Sequence, residues 1–159
     1  MENSVLTPLL FSSVFILFII ALCFLKPNAG RIVLGIFFIL MAIVVNGVFT
    51  FSNPTAYIEY ASDALVPIYR ELAILIVSFN PMFFGLILII YELLMGLLLL
   101  YKGIYVKIGL IGTMIFIIWI APLSYLQFPW LGLLISQIYL LTKNFKVTFY
   151  ETIQSKFIQ

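Results

Sequence analysis

The chain has 159 residues, of which 65% are hydrophobic and only 9% charged, and its formal net charge is +2. Soluble domains are about half apolar and about a quarter charged, so this composition excludes an ordinary soluble domain. The sequence has no histidine and a single cysteine, Cys23, which excludes an intrachain disulfide and any mechanism with a histidine base. It also argues against a zinc or haem site, and we expect no metal. The basic residues are spread along the chain, so we expect no nucleic-acid partner.

The first apolar run, residues 5–25, has about the 20 residues that a membrane-spanning helix needs. Glu2 precedes this run and no lysine or arginine does, which favours a retained anchor over a cleaved signal peptide. The stretch KPNAGR follows it, and its Pro27, Asn28 and Gly30 predict a tight turn.

Four further apolar runs follow, at 32–51, 82–101, 108–125 and 130–142. We therefore expect a single membrane domain over the whole chain, with an all-α fold: a polytopic membrane helix bundle. With five spans, every basic residue except Arg70 falls on one side of the membrane; these are Lys26, Arg31, Lys102, Lys107, Lys143, Lys146 and Lys156. The positive-inside rule then places the N-terminus outside the cell membrane and the C-terminus in the cytoplasm.

The long connection between the second and third runs lies on the predicted outer side. Asn53 is a plausible helix N-cap with Pro54 at the first helical position, and Pro67 begins a second pattern of this kind. We expect two short helices on the outer leaflet. The alternative is one helix over 68–101, kinked at Pro81, although about 51 Å of helix would exceed the hydrocarbon core of about 30 Å.

Three polar residues lie well inside the predicted spans: Asn46, Glu92 and Gln137. Their depths, counted along each helix, place them at the centre or in the outer half of the membrane, so they could line one cavity open to the outside. Glu92 shares a helix face with Gly85 and Gly96, and small residues mark the packing side of a membrane helix. We therefore expect Glu92 to point into the bundle, where apolar surroundings favour its neutral, hydrogen-bond-donating form.

Two interpretations of these residues remain open. Glu92 either bonds a neighbouring helix or serves a ligand or a proton, and ionisable groups inside membranes are functional candidates by default. For Asn46 and Gln137, a hydrogen bond between helices is the simpler interpretation.

Four further residues are candidates for the same site. Tyr91 is a possible hydrogen-bond partner of Glu92. Trp119 lies at mid-depth in the fourth predicted span. It is either a core residue or a stacking wall for a flat ligand. Arg70 and Tyr69 are either residues at the depth of the lipid headgroups or a cover over the outer mouth of the cavity that contacts an anionic or carbonyl group.

Three stretches resemble the helices of the DoxX-like membrane protein family. RIVLGIFFILMAIVVN, with Arg31 at its edge and Leu34–Gly35 after it, resembles the first helix of that family. YELLMGLLLLYKG, with Glu92 and Gly96, resembles the second, and IGLIGTMIFI resembles the third. The resemblance covers residues 31–142, so the first span is an N-terminal addition to a four-helix DoxX-like core.

The resemblance implies a limited set of functions. Some family members are small subunits of quinone-reducing oxidoreductases, others work with redox or detoxification partners, and distant relatives assist receptor assembly. The residues of this chain that match the motifs of the family, and that the resemblance therefore marks as candidates for these roles, are Arg31, Asn46 and Glu92.

These observations leave three functions open. The first is a pocket for a lipophilic small molecule, with a quinone as the candidate cofactor, in a subunit of a membrane oxidoreductase. Whether the chain is an enzyme stays open, and Glu92 is the candidate catalytic group. The candidate ligand-binding residues are Glu92, Asn46, Gln137, Trp119, Tyr91, Arg70 and Tyr69. The second function is an accessory protein that binds another membrane protein through 53–80, and the third is a small proton-coupled transporter. The candidate partners are membrane lipid, a membrane or redox protein and a second copy of the chain.

Overall fold

The structure of the protein, a computed structural model, describes residues 2–157 and describes side chains over residues 7–154. Within these residues the chain forms helices and no strand, which confirms the predicted all-α class. The helices are α1 (Glu2–Leu25), α2 (Pro27–Ser52), α3 (Ala56–Ser62), α4 (Pro67–Phe79), α5 (Pro81–Leu100), α6 (Ile104–Ile120), α7 (Gly132–Leu141) and α8 (Phe149–Phe157). Two 3₁₀ segments, Ala121–Leu123 and Tyr125–Leu131, connect α6 to α7.

Four stretches of the described chain are long and apolar enough to cross a membrane: Thr7–Leu25, Pro27–Ser52, Pro81–Leu100 and Ile104–Leu123. A fifth apolar stretch, which joins the second 3₁₀ segment to α7, is shorter. Many large apolar side chains face outward, which suits contact with lipid rather than water. The protein is therefore a multi-pass membrane helix bundle.

The tight turn predicted after the first span is wrong. Only Lys26 separates α1 from α2, and Pro27 is the first residue of α2. Proline is tolerated there, because the first N–H groups of a helix make no hydrogen bond within the helix and the missing N–H of proline costs nothing. Gly30 lies inside α2, and a Cβ there would be 2.6 Å from the Cα of Cys23. The glycine therefore permits the two helices to pack at close range directly after the break.

The connection between α2 and α5 contains the two short helices that the sequence predicts. Their starts differ in detail. Pro67 begins α4 as expected, but the N-cap residue of α3 is Thr55, and Asn53 is the C-cap residue of α2. The alternative of one helix over 68–101 is wrong. Asn80 has an extended backbone with φ of −163°, and its side chain accepts a hydrogen bond from the Phe83 amide at 3.0 Å, so it caps α5.

Helix α5 occupies the middle of the bundle between α2 and α6, while α1 packs against α2 and α7. Helices α2 and α5 approach closely at Gly35 and Gly96, since a Cβ on Gly35 would lie 2.9 Å from the Gly96 carbonyl oxygen. Gly85, Glu92 and Gly96 are all buried, as their shared helix face predicts. The small residues thus mark the packing side of α5.

The loops that carry most of the lysines meet at one end of the bundle, which we call the basic end. There the Arg31 guanidinium is fully buried and donates hydrogen bonds to the carbonyl oxygens of Leu99, Tyr101 and Val147, at 2.7, 2.6 and 2.5 Å. The Gly103 amide donates to the Phe145 carbonyl at 2.8 Å. These bonds join the α1–α2 break, the α5–α6 turn and the segment after α7.

The opposite end, which we call the α3–α4 end, carries the short helices. The Leu65 amide, between α3 and α4, donates to the Pro122 carbonyl at 2.9 Å. Arg70 donates to the Ala64 carbonyl through Nε at 3.0 Å and Nη2 at 2.7 Å. The short helices are therefore held against the end of α6 rather than free of the bundle.

Candidate functional site

A cavity of ≈ 750 Å³ lies towards the α3–α4 end, among α2, α4, α5 and α6. Its walls are largely aliphatic and aromatic, and they include Phe38, Met41, Ile76, Leu88 and Phe116. Volumes of about 300–1,000 Å³ are typical of small-molecule pockets, which combine apolar walls with a few polar groups. The cavity has this form, because its wall is mostly apolar and includes a few polar side chains such as Asn46, Tyr57 and Glu92.

Glu92 is the acidic residue in the cavity wall, and its side chain is only 1% exposed. Its Oε2 accepts a hydrogen bond from Asn46 Nδ2 at 2.6 Å, which links α5 to α2. Its other oxygen, Oε1, makes no hydrogen bond to any side chain or backbone group that the structure describes. One half of the carboxyl group is thus fixed, and the other half remains available to a ligand.

Asn46 belongs to a chain of four buried polar groups. Tyr57 donates its hydroxyl proton towards the backbone and side-chain oxygens of Asn46, both at 3.1 Å, and lies 2.9 Å from Thr50 Oγ1. Since that proton is directed at Asn46, Thr50 is the donor to Tyr57. Burial raises the pKa of the Tyr57 hydroxyl, so it stays protonated at neutral pH. The order of donation is Thr50, Tyr57, Asn46, Glu92.

The backbone of α2 changes from α-helix to π-helix over Met41–Asn46, just where it reaches Glu92. The Gly47 amide bonds to the Ala42 carbonyl, five residues back. A π turn accommodates one more residue than an α turn and so rotates the side chains that follow, and such segments are frequent at functional sites. Here it places Asn46 at the contact with Glu92.

The structure brings Tyr91, Trp119 and Tyr69 to the same cavity. The Tyr91 hydroxyl donates to the Gly112 carbonyl at 2.9 Å, so its hydrogen bond goes to α6 and not to Glu92. Tyr69 donates to the Trp119 carbonyl at 2.5 Å, which joins α4 to the end of α6. Trp119 is 56% exposed, so it is a wall of the cavity and not a core residue.

Gln137 and Arg70 do not line this cavity. Gln137 is fully buried, and its Oε1 accepts a hydrogen bond from Thr113 Oγ1 at 2.8 Å, which links α7 to α6. The guanidinium of Arg70 holds the turn between α3 and α4 through the carbonyl of Ala64. The predicted grouping of three buried polar residues therefore reduces to Glu92 and Asn46.

Tyr57 is a site residue that the sequence does not reveal, because it lies in the connection between the second and third apolar runs and not inside a predicted span. Its side chain is 8% exposed and packs edge-on against Phe84 and Phe49.

A second missed feature does have a sequence signal: Thr148 and Glu151 form a reciprocal capping box, with Thr148 N–H donating to Glu151 Oε2 at 2.7 Å.

Comparisons with known proteins give no match: no family model, no curated protein and no solved structure is similar to this chain. The function is therefore argued from the residues of the site. Over the described part of the chain, no group of three or more His, Cys, Asp or Glu side chains is close enough to hold a metal ion. The site therefore offers one carboxyl group beside a large apolar cavity, and this group can form hydrogen bonds and transfer a proton.

Proposed function

We propose that the cavity binds a lipophilic small molecule through a hydrogen bond to Glu92. The observation that carries the proposal is a 1% exposed carboxyl group in the wall of a ≈ 750 Å³ apolar cavity, with one oxygen held by Asn46 and the other without a partner among the described groups. Ionisable groups are costly inside a membrane bundle, and a purely structural one is expected to satisfy both oxygens.

The cavity suits a flat molecule with a polar group at one edge. A neutral Glu92 can donate to a ligand carbonyl, while the Asn46 amide orients the carboxyl group from the other side. Phe116 and Tyr91 are stacked, with ring centroids 6.0 Å apart, and form an aromatic wall beside Glu92. A quinone has the required ring and carbonyl groups, and its redox chemistry would take electrons from a partner protein.

On this proposal the chain is a DoxX-like protein, with a four-helix core from α2 onward and α1 as an addition, that serves as a subunit of a membrane oxidoreductase. Glu92 would then supply a proton to the reduced ligand. The polar chain through Asn46 and Tyr57 orients the carboxyl group from the side of α3.

Mass spectrometry of molecules that co-purify in a mild detergent tests the binding proposal. The wild type should carry a stoichiometric lipophile that is not a phospholipid. Glu92→Leu should lower its occupancy at least about tenfold, since a buried hydrogen bond is lost, whereas Glu92→Gln should retain it because the amide can still donate. Glu59→Leu, the same replacement at an exposed position on α3, is the matched control.

A second variant separates ligand loss from misfolding. Ala73 lines the cavity from α4 and lies away from the polar chain, so Ala73→Phe should fill the cavity and displace the ligand while the protein stays folded. Only bulk phospholipid in the wild type, or equal occupancy in the wild type, Glu92→Leu and Ala73→Phe, would overturn the proposal.

A second candidate is an accessory protein that binds another membrane protein through 53–80. The observation that favours it is the apolar outer face of α4, where Ile68, Leu75 and Phe79 are 70, 71 and 89% exposed. This function needs no ligand at Glu92. It would be supported if Glu92→Leu leaves activity in the cell intact while polar substitutions on this face of α4 abolish it.

We also propose the orientation of the chain: five crossings, the N-terminus outside and the C-terminus in the cytoplasm. Support comes from the meeting of the loops that carry Lys26, Lys102 and Lys146 at one end, since the positive-inside rule assigns such an end to the cytoplasm. The cavity would then lie towards the outer leaflet.

A further inference from the structure

A second cavity, of ≈ 550 Å³, opens at the basic end and is lined by three lysines. We call it the lysine cleft. Its lining residues are Lys102, Gly103, Ile104, Lys107, Asn144, Phe145 and Lys146. It lies between the α5–α6 turn and the segment that joins α7 to α8, far from Glu92 in the fold.

Hydrogen bonds hold the two sides of the cleft together. Gly103 has a φ of 64°, which allows its amide to turn towards the opposite segment and donate to the Phe145 carbonyl at 2.8 Å. Phe145 is buried against the Arg31 guanidinium, with 4.9 Å between the guanidinium carbon and the ring centroid. The cleft is therefore part of the folded structure and not a gap between loose loops.

The charge in the cleft is positive and only partly balanced. Lys102 pairs with Glu151 at 2.7 Å. Lys107 and Lys146 have no carboxylate within ion-pair distance among the described side chains. Two ammonium groups thus share the cleft without a partner, and like charges held together attract an anion. The first turn of α6, which has no side-chain cap, adds N–H groups that favour the same ligand.

The surface next to the cleft decides what kind of anion fits. Ile104, which lines the cleft, is 62% exposed, and Ile108 and Ile111, at the i+4 and i+7 positions of α6, are 47 and 49% exposed. These three residues form an outward apolar strip that runs from the cleft along a membrane-crossing helix. A phosphate in the cleft would lie at the head of this strip, where an acyl chain attached to it can pack.

We propose that the lysine cleft binds the phosphate group of an anionic phospholipid, with an acyl chain along Ile104, Ile108 and Ile111. The shared chemistry with free inorganic phosphate is the phosphate anion, but only a lipid also uses the apolar strip. This site is separate from the Glu92 cavity, and its occupancy does not depend on what that cavity binds.

Native mass spectrometry of the purified full chain tests the proposal, with phosphatidylglycerol and phosphatidylcholine of identical acyl chains as probes. Phosphatidylglycerol should bind at least about tenfold more tightly. Lys107→Gln and Lys146→Gln should each weaken its binding about fivefold, because each lysine near an anionic headgroup contributes an attraction of this size. Lys146 is exposed and Lys107 is half-buried, and neither belongs to the hydrophobic core, so neither change removes core packing.

Lys143→Gln is the matched control. Lys143 lies in the same segment, but its ammonium group is 4.2 Å from the centroid of the Tyr139 ring and is not part of the cleft. Its substitution should leave lipid binding unchanged. Three results would overturn the proposal: equal binding of both lipids, an equal loss on Lys143→Gln, and displacement of phosphatidylglycerol by millimolar inorganic phosphate.

Discussion

Gln137 carries a buried polar atom without a partner: among the described side chains, its Nε2 donates no hydrogen bond. Thr113 Oγ1 lies 2.8 Å from Gln137 Oε1 and 2.9 Å from the Leu110 carbonyl. Turning the amide over would let Nε2 donate to Thr113 but would leave Oε1 unpaired instead. An unsatisfied buried group costs about 1–3 kcal/mol, so Gln137 contributes less to stability than its burial suggests.

We therefore expect Gln137→Met, which keeps the volume and removes the unpaired group, to leave the stability unchanged or to raise it by about 1 kcal/mol. Thr113 keeps its bond to the Leu110 carbonyl in this variant. Thermal unfolding in detergent, followed by intrinsic fluorescence, measures the effect. A clear fall in the unfolding temperature would mean that Nε2 does have a partner in the membrane.

Sequence reasoning identified Glu92 and Asn46 because depth and helix face follow from counting residues along regular helices. It could not identify Tyr57, whose contact with Asn46 depends on how α3 folds back over the bundle. It also could not anticipate that Gln137 faces Thr113, since that contact depends on which neighbours α7 has. Position along one helix is local information, whereas the partner of a side chain is set by tertiary packing.

At the scale of single helices, the contact between α2 and α5 depends on two glycines. A Cβ on Gly96 would lie 2.8 Å from the Gly35 carbonyl oxygen and 2.7 Å from a side-chain carbon of Ile39. Close backbone approach of this kind replaces the hydrophobic effect as the source of helix association in lipid. The Glu92–Asn46 hydrogen bond joins the same two helices one turn earlier in α5.

Gly96→Ala should destabilise the protein by about 1–3 kcal/mol, because the added methyl group has no space and must separate α2 from α5. Gly47→Ala is the control on α2, since a Cβ there has as its nearest neighbour the Ala42 carbonyl oxygen at 3.6 Å. It should be neutral or stabilising by up to about 1 kcal/mol. Thermal unfolding of both variants separates the two outcomes, and equal effects would contradict the packing argument.

The docking of α8 depends on Glu151, which pairs with Lys102 and caps its own helix through Thr148. The Lys102 ammonium, followed by the Thr148 amide, holds the pKa of the Glu151 carboxyl below its ordinary value of 4.5. The same carboxylate raises the pKa of Lys102 above 10.5. A depressed acidic pKa stabilises the fold above the unfolded value, and a raised basic pKa stabilises it below the unfolded value.

The contribution of this pair should therefore be constant between about pH 6 and pH 9. It should be lost in acid as the pH falls through the pKa of folded Glu151, below 4.5, and in alkali above 10.5. Hydrogen–deuterium exchange of a peptide covering α8, compared between the wild type and Glu151→Gln, measures it. The difference between the two proteins should shrink as the pH falls below 4.5 and the folded carboxylate becomes protonated. A difference that grows in acid would contradict the assignment.

For the whole molecule, the pattern of apolar runs predicted four long apolar helices in their order along the chain, while the fifth predicted span corresponds to a shorter apolar stretch. The errors lie at helix ends: α2 begins at Pro27 rather than after a turn, and α6 begins at Ile104 rather than at 108. A proline can begin a helix as readily as interrupt one, and the sequence around Pro27 fits either outcome. The π segment of α2 has no marker in its apolar sequence, MAIVVN.

The proposed orientation can be tested with single cysteines. Cys23 is fully buried and can be replaced by alanine, after which Ser62→Cys on α3 and Gln154→Cys on α8 place one thiol at an exposed position near each end. In intact cells, a membrane-impermeant maleimide should label Ser62→Cys and should not label Gln154→Cys. Labelling of both would mean an even number of crossings between them, and labelling of Gln154→Cys alone would invert the orientation.

The buried guanidinium of Arg31 also has a consequence for the order of assembly. Its carbonyl acceptors lie 68, 70 and 116 positions later in the chain. At a synthesis rate of about 5–20 residues per second, the last of them emerges of the order of ten seconds after Arg31. A cation is not transferred into an apolar bundle before its partners exist. We therefore expect the first helical hairpin to wait with Arg31 hydrated at the membrane surface until Val147 supplies the last of these acceptors.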